Sequence, residues 1–359
     1  MADTANPSGS TIEVDALVVG AGPVGLFQVF QLGLLDIKAH VVDSLPYVGG
    51  QCIELYPDKP IYDIPGTPHC TGRELIASLL KQLTPFTPPF HLEQEVSVVE
   101  KQPDGCFRVE TSRGTRFLTK TIFLASGVGA FQPKKLRVDG LDKFEGSQVL
   151  YRVGNTSAFA GQDVLVVGGD DTALGWAMRL ATLDADQPKS VTLLHRRDVF
   201  QADTDMVLMI NALCESGALT FRVGQVTGHE EAGGKLTAAQ VTDVDGNIAP
   251  LPADTLLVML GLSPKLGPVA DWGLDMERKQ VKVDTATFAT SIPGIFAVGD
   301  INTYPGKKKL ILSGFHESAL AAFGAAGMVF PGKETLLQYT TTSPRLHKLL
   351  GVAPDSPPT

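Results

Sequence analysis

Cysteine is scarce and scattered. Among 359 residues only Cys52, Cys70, Cys106 and Cys214 occur, and no two stand in C-x-x-C or zinc-ligand spacing. That excludes a local redox dithiol and gives no reason to expect a metal site. It suits the reduced thiols of a cytoplasmic protein. Long apolar runs are also missing. None approaches the ~20 residues a helix needs to span a bilayer, so no membrane is expected. Basic excess is missing too: 39 acidic residues outweigh 30 basic ones, for a net charge of −9. Such a balance argues against nonspecific binding of nucleic acid. The opening MADTANPSGST has neither the basic start nor the apolar centre of a signal peptide and reads as a loose tail. The closing APDSPPT reads as frayed.

What the chain has is glycine in particular places. Residues 14–19, VDALVV, read as a buried parallel strand, and residues 22–35 read as the helix after it. Between them, Gly20-Ala21-Gly22-Pro23-Val24-Gly25 matches G-x-G-x-x-G. In such a turn the first glycine makes the bend and the second lets the backbone approach a pyrophosphate. The third lets helix and strand pack closely. The phosphates then rest on helix N–H donors at the positive end of the dipole. The next strand, Ala39–Asp43, ends in an acid, 18 residues after Gly25. There a carboxylate accepts a hydrogen bond from an adenosine ribose hydroxyl.

A second unit of the same design begins at Asp163. Its turn reads Gly168-Gly169-Asp170-Asp171-Thr172-Ala173, with Asp170 where the second glycine belongs. An aspartate ~5 Å from a pyrophosphate dianion costs about 1.5–7 kcal/mol at effective dielectrics of 80 to 20. His195-Arg196-Arg197-Asp198 ends the following strand. Paired arginines there offer bidentate bonds to the 2′-phosphate of NADP(H). Gly168, Gly169, Thr172, Arg196 and Arg197 are therefore the expected nicotinamide-nucleotide residues. The expected fold is α/β, with two Rossmann-like dinucleotide-binding domains and a small antiparallel insertion built from VSVVE, CFRVET and RFLTKTIFLA. The segment 124–136 reads as a hinge. After Pro264 the chain is expected to return to the first domain through Ile295–Asp300, followed by an alanine-rich helix starting near Ser318. The discontinuous first domain then covers 1–129 and 264–359, and the second 130–263.

The first fingerprint, Gly49-Gly50-Gln51 and Gly299-Asp300 together resemble the two-dinucleotide flavoprotein superfamily, in which the first site holds FAD. Cys52 follows Gly49-Gly50-Gln51, as the first redox cysteine does in glutathione-reductase-like enzymes. The partner position, five residues on, holds Pro57. Residues 107–213, where thioredoxin reductases carry their C-x-x-C, contain no cysteine. Cys52 reads as a small buried hydrophobe, and electrons would have to leave directly from the flavin.

More specific stretches carry a closer resemblance. VVGAGPVGLF, VVDSLPYVGGQCIELYPDKPIYDIPG, ASGVGAFQPKKL, LHRRDVF and FAVGDINTYPGKKKLILSGFHESALAA are similar to the thioredoxin-reductase-like ferredoxin–NADP⁺ reductases, over roughly residues 12–345. The resemblance implies a homodimer that moves electrons between NADPH and ferredoxin or flavodoxin through FAD. It implies that Gly20, Gly22, Pro23, Gly25 and Asp43 hold the adenosine and pyrophosphate. It places Gln51 and Tyr56 beside the flavin, with the Tyr56 ring stacked on it, and Val96 at the adenine through its backbone. Phe131, Asp300 and Thr341 complete that pocket, and Tyr339 covers the other flavin face from the partner subunit's tail. Aromatic covers stack on a planar ring and exclude water from it. Lys134-Lys135-Leu136-Arg137 and Lys307-Lys308-Lys309 read either as solvated loop cations or as docking cations for an acidic ferredoxin. His316 stands where a small residue is expected and reads first as a cap of the following helix and second as a proton-transfer group, which hydride transfer to flavin does not require. Asp170 leaves a second reading open, an FAD-binding redox sensor or partner-binding flavoprotein with impaired NADPH binding.

Overall fold

A computed structural model describes residues 10–352, apart from Gly154 and Leu336, and gives no side-chain description for Ala130, Phe131 and Pro264. The two tails read above as loose lie largely outside the described residues. The chain divides into one unit built from residues up to Ala130 and from Pro264 onward, and a second spanning Phe131–Ser263.

The first unit is organised on a seven-stranded sheet. Strand Ile12–Val19 lies at its centre, parallel to Ala39–Val42 on one side and to Arg116–Leu124 on the other. Phe90–His91 extends the first side, and Ile295–Ala297 pairs in parallel with Arg116–Leu124. Phe107–Thr111 and Val96–Lys101 complete the sheet antiparallel. They are the small antiparallel insertion expected from the sequence, and it returns to the parallel sheet through Arg116–Leu124.

The C-terminal half of the central strand is apolar, and Ala16, Leu17 and Val18 are completely buried because helices cover one face and a second core the other. Ala16 and Val18 point into the core formed with helices Pro23–Leu34, Gly72–Gln82 and Ile311–Val329, whereas Leu17 joins the opposite core with Phe107, Phe117 and Ile122. This is the two-residue alternation of a pleated strand. Helix Gly72–Gln82 starts with a capping box, in which Thr71 and Glu74 bond each other's backbone N–H groups. The alanine-rich helix begins at Ile311, a full two turns before the expected start near Ser318. Its N-cap is Leu310, which offers no side-chain bond, so no capping residue marks that start in the sequence.

The second unit holds a five-stranded parallel sheet in the order Val149–Leu150, Thr255–Met259, Asp163–Gly168, Ser190–His195, Thr220–Val223. Helix Asp171–Ala181 follows its glycine turn. A separate antiparallel sheet, Gln225–Ala232, Lys235–Thr242 and Ile248–Pro252, belongs to this unit.

Candidate functional site

The turn after Ile12–Val19 is glycine-dependent at two positions for reasons inside the chain. Gly20 adopts φ +112°, and a Cβ there would meet the Ala125 carbonyl oxygen at 2.5 Å. A Cβ on Gly25 would run into the Gly20 carbonyl oxygen. Gly22 is different. It precedes helix Pro23–Leu34 with an extended backbone that any residue adopts. A Cβ there would meet nothing in the chain nearer than Gly50 Cα, at 3.9 Å. Among the described residues no neighbour accounts for the glycine, and the space its side chain would fill is the approach to the helix N-terminus. Pro23 at the first helical position withdraws no needed donor.

Other residues converge on the same turn. Asp43 accepts the Ala21 N–H at 2.6 Å and the Leu45 N–H at 2.8 Å. Burial pushes its carboxyl above the usual range, and those two donors pull the other way. The Asp43 carbonyl accepts the Gln94 N–H, which ties it to the segment entering buried Val96. Gln51 opens the short helix Gln51–Glu54 and hydrogen-bonds the Asp300 carboxylate. Its Nε2 would lie 3.0 Å from a Cβ placed on Gly127. Tyr56 is half-buried. Its hydroxyl accepts a bond from the Cys52 thiol at 3.7 Å, and Asp300 is near enough to help hold the phenol protonated. Ser126 lies beside Gly20, and its buried hydroxyl has no hydrogen-bond partner among the described residues. Gly20, Gly22, Pro23, Gly25, Asp43, Gln51, Tyr56 and Asp300 thus share one region of the first unit. Phe131 is placed only as backbone, in strand Ala130–Pro133. Tyr339 is 69% exposed, and its carbonyl is bonded locally by Thr342. Thr341 is exposed as well. Among the described residues, no hydrogen bond or ring contact joins Tyr339 or Thr341 to the turn.

One part of the region went unread in the sequence. Glu317 is completely buried in helix Ile311–Val329. Its Oε2 accepts the Gly299 N–H at 2.6 Å and the Asn302 amide at 2.8 Å. Its Oε1 accepts the Tyr304 hydroxyl at 2.9 Å and pairs with the Lys307 ammonium. Lys307 also donates to the Gly299 carbonyl at 2.9 Å. Its side chain is only 6% exposed, so the reading of Lys307 as a docking cation is wrong. Lys308 and Lys309 remain exposed. The signal was available: Glu317 is the single acid in a mostly apolar, alanine-rich helix. His316, exposed inside that helix, is not the cap it was read as.

In the second unit, a Cβ on Gly168 would collide with the Met259 carbonyl oxygen, and one on Gly169 would meet the His195 ring at 2.5 Å. The ring therefore lies over the turn. Asp170 does not stand across the approach as a bare charge. It is the N-cap of helix Asp171–Ala181, and its Oδ1 accepts the Ala173 N–H at 3.0 Å. Thr172, Arg196 and Arg197 are exposed around this turn and the end of strand Ser190–His195. Burial first, then the charges of Arg196 and Arg197, hold the His195 ring below the usual imidazole range. All four cysteines are free, and burial raises the Cys52 thiol. It is a protonated, enclosed group, the opposite of an activated thiolate.

A glycine turn at the carboxyl end of a parallel sheet in each unit defines a thioredoxin-reductase-like, two-dinucleotide α/β oxidoreductase. The chain belongs to the pyridine nucleotide-disulphide oxidoreductase family, which matches residues 14–323. It is 66% identical over 341 residues to a ferredoxin–NADP reductase of Polaromonas naphthalenivorans, covering 95% of this chain and 93% of that protein. It is 63% identical over 347 residues to ferredoxin–NADP reductase 2 of Cupriavidus metallidurans, covering 97% and 94%. Among solved structures it is similar to the thioredoxin reductase of Lactococcus lactis, at a TM-score of 0.59 and 25% identity, over 88% of this chain and 99% of that one.

Proposed function

We propose that the protein is a ferredoxin–NADP⁺ reductase, a flavoprotein oxidoreductase that passes electrons between NADPH and ferredoxin or flavodoxin through FAD. The observation that carries the reading is the first glycine turn. Among the described residues, nothing near Gly22 requires it to be small, and the buried Ser126 hydroxyl beside the same turn lacks a partner. Both features fit a nucleotide seated there. When bound, FAD supplies the hydride-accepting and electron-donating chemistry, and the protein supplies position and electrostatics.

The chain's own residues divide that work. The N–H groups of helix Pro23–Leu34 receive the pyrophosphate, and Asp43, already fixed to the turn by Ala21 and Leu45, takes the ribose. The backbone at Val96 meets the adenine. Gln51, Asp300 and Thr341 would surround the ribityl and ring portion, and Tyr56 would cover one face of the ring. Its hydroxyl is fixed by Cys52, so that thiol serves packing and takes no part in electron transfer. Gly168, Gly169, Thr172, Arg196 and Arg197 hold NADP(H) in residues 130–263, and residues 1–129 with 264–359 hold FAD. In a homodimer, Tyr339 covers the second face from the partner subunit. Lys134–Arg137 and the exposed pair Lys308 and Lys309 are the cations offered to an acidic ferredoxin, although Lys135 is also paired with Glu145. A cytoplasmic location agrees with four free thiols. Among the described residues, no helix is long and apolar enough to cross a membrane. The redox-sensor reading has no observation in its favour, because Asp170 is engaged as a helix cap.

Anaerobic mixing of the purified protein with NADPH, followed by ferredoxin-linked cytochrome reduction, tests the proposal. Bleaching of bound flavin and ferredoxin-dependent turnover are the expected results.

A further inference from the structure

The network around Glu317 takes no part in binding as proposed above, yet it is built against the residue next to a binding residue. A carboxylate removed from water costs several kcal/mol unless donors surround it. Glu317 has four: one backbone N–H, one amide, one hydroxyl and one ammonium. Two of these partners lock a single peptide segment. Glu317 takes the Gly299 N–H, and Lys307 donates to the Gly299 carbonyl. Gly299 has φ +78°, and a Cβ there would press on the Val24 methyl groups at 3.3 Å. Asp300 follows directly. Gln280 donates to its carbonyl at 3.2 Å, so the turn is held from both sides.

We infer that Glu317 and Lys307 are positioning residues for the flavin site: together they fix the Gly299–Asp300 turn and set the charge facing the flavin through Asp300. This inference rests on the reductase reading and deepens it. The pair has opposite effects on its neighbour. Burial raises the Asp300 carboxyl, Lys307 and Lys309 draw it back down, and Glu317 raises it. A cation and an anion held together below the turn nearly cancel, and removing either one exposes the other. A flavin gains negative charge on reduction. Loss of the anion must therefore favour the reduced form, and loss of the cation must disfavour it.

The test uses the full-length holoprotein and three variants: Glu317→Gln, Lys307→Met and Glu317→Asp. FAD dissociation constants are read by flavin fluorescence on deflavinated protein, and midpoint potentials on the loaded forms. Glu317→Gln is expected to raise the flavin potential and Lys307→Met to lower it. Each shift should amount to about tenfold in the reduction equilibrium, about 30 mV for a two-electron couple. Glu317→Asp keeps the charge but withdraws it by one methylene. It should weaken FAD binding about tenfold with the potential unmoved. Potentials that stay at the wild-type value, or that move in the same direction in the Gln and Met variants, overturn the inference. If Glu317→Gln does not fold, Lys307→Met and Glu317→Asp still decide it. Wild-type protein that takes up no FAD defeats the reductase reading itself, whereas normal wild-type uptake with silent variants defeats only the network.

Discussion

Substitution of Gly22 by alanine separates binding from folding. The new methyl group meets no atom of the chain within contact distance, since its nearest neighbour is Gly50 Cα at 3.9 Å. The backbone at this position is extended, so alanine adopts it without strain. The unfolded chain loses some freedom, a gain of about 0.4–1 kcal/mol. Alanine is a poorer N-cap than glycine by a similar amount. Stability of the flavin-free protein should therefore change by less than about 1 kcal/mol. The effect on FAD should be much larger. The methyl group stands where a pyrophosphate must approach the helix N–H groups, and one lost charge-assisted bond is worth about 1.5–3 kcal/mol. That corresponds to roughly 10- to 150-fold weaker binding. Gly25→Ala supplies the contrast. Its Cβ collides with the Gly20 carbonyl oxygen, so it should lower the melting temperature even without flavin. Thermal melts of deflavinated protein and FAD titration measure the two effects. A Gly22→Ala protein that binds FAD as tightly as wild type would refute the reasoning, because the open space would then have no occupant.

Three further outcomes are expected. Asp170→Asn keeps the cap on Ala173 while removing the charge, so stability should hold within about 0.5 kcal/mol and the KM for NADPH should fall; an unchanged or higher KM counts against an electrostatic penalty at that turn. Changing Arg196 and Arg197 together to alanine should raise the KM for NADPH about 10- to 100-fold and leave that for NADH nearly unchanged, as expected for lost 2′-phosphate bonds; equal loss with both cofactors would remove them from that role. The His40 and His91 rings share a 2.9 Å bond, and burial, aided by His91, lowers His40 to about 4. A folded value below the unfolded 6.5 gives stability that is complete above pH 6.5 and is lost as pH falls toward 4. With discounting for partial exposure this amounts to about 1–2 kcal/mol. Denaturant midpoints of wild type and His40→Asn at pH 7 and pH 4.5 should show a flatter dependence in the variant.

The features legible in the sequence are those where one physical cause acts on consecutive residues. VDALVV reads as a central strand because both faces are buried, and Gly20 and Gly25 read as a tight turn because each has a backbone oxygen in the place of a side chain. One misread feature depends on a residue elsewhere in the chain. Lys307 looks the same as Lys308 and Lys309 until the fold brings Glu317 beside it. The helix at Ile311 begins without a capping side chain, which left its start two turns misplaced. D-D-T-A alone marks Asp170 as a helix N-cap, a role distinct from that of a charge facing phosphate. Ser126 carries no sequence signal, because an unpartnered hydroxyl is defined only by what surrounds it.

The most direct measurement is anaerobic addition of NADPH to the purified protein, with the flavin absorbance followed and ferredoxin then supplied together with cytochrome c. A yellow protein that bleaches with NADPH and reduces cytochrome only when ferredoxin is present is the predicted result. A protein that stays colourless after incubation with added FAD would contradict the account.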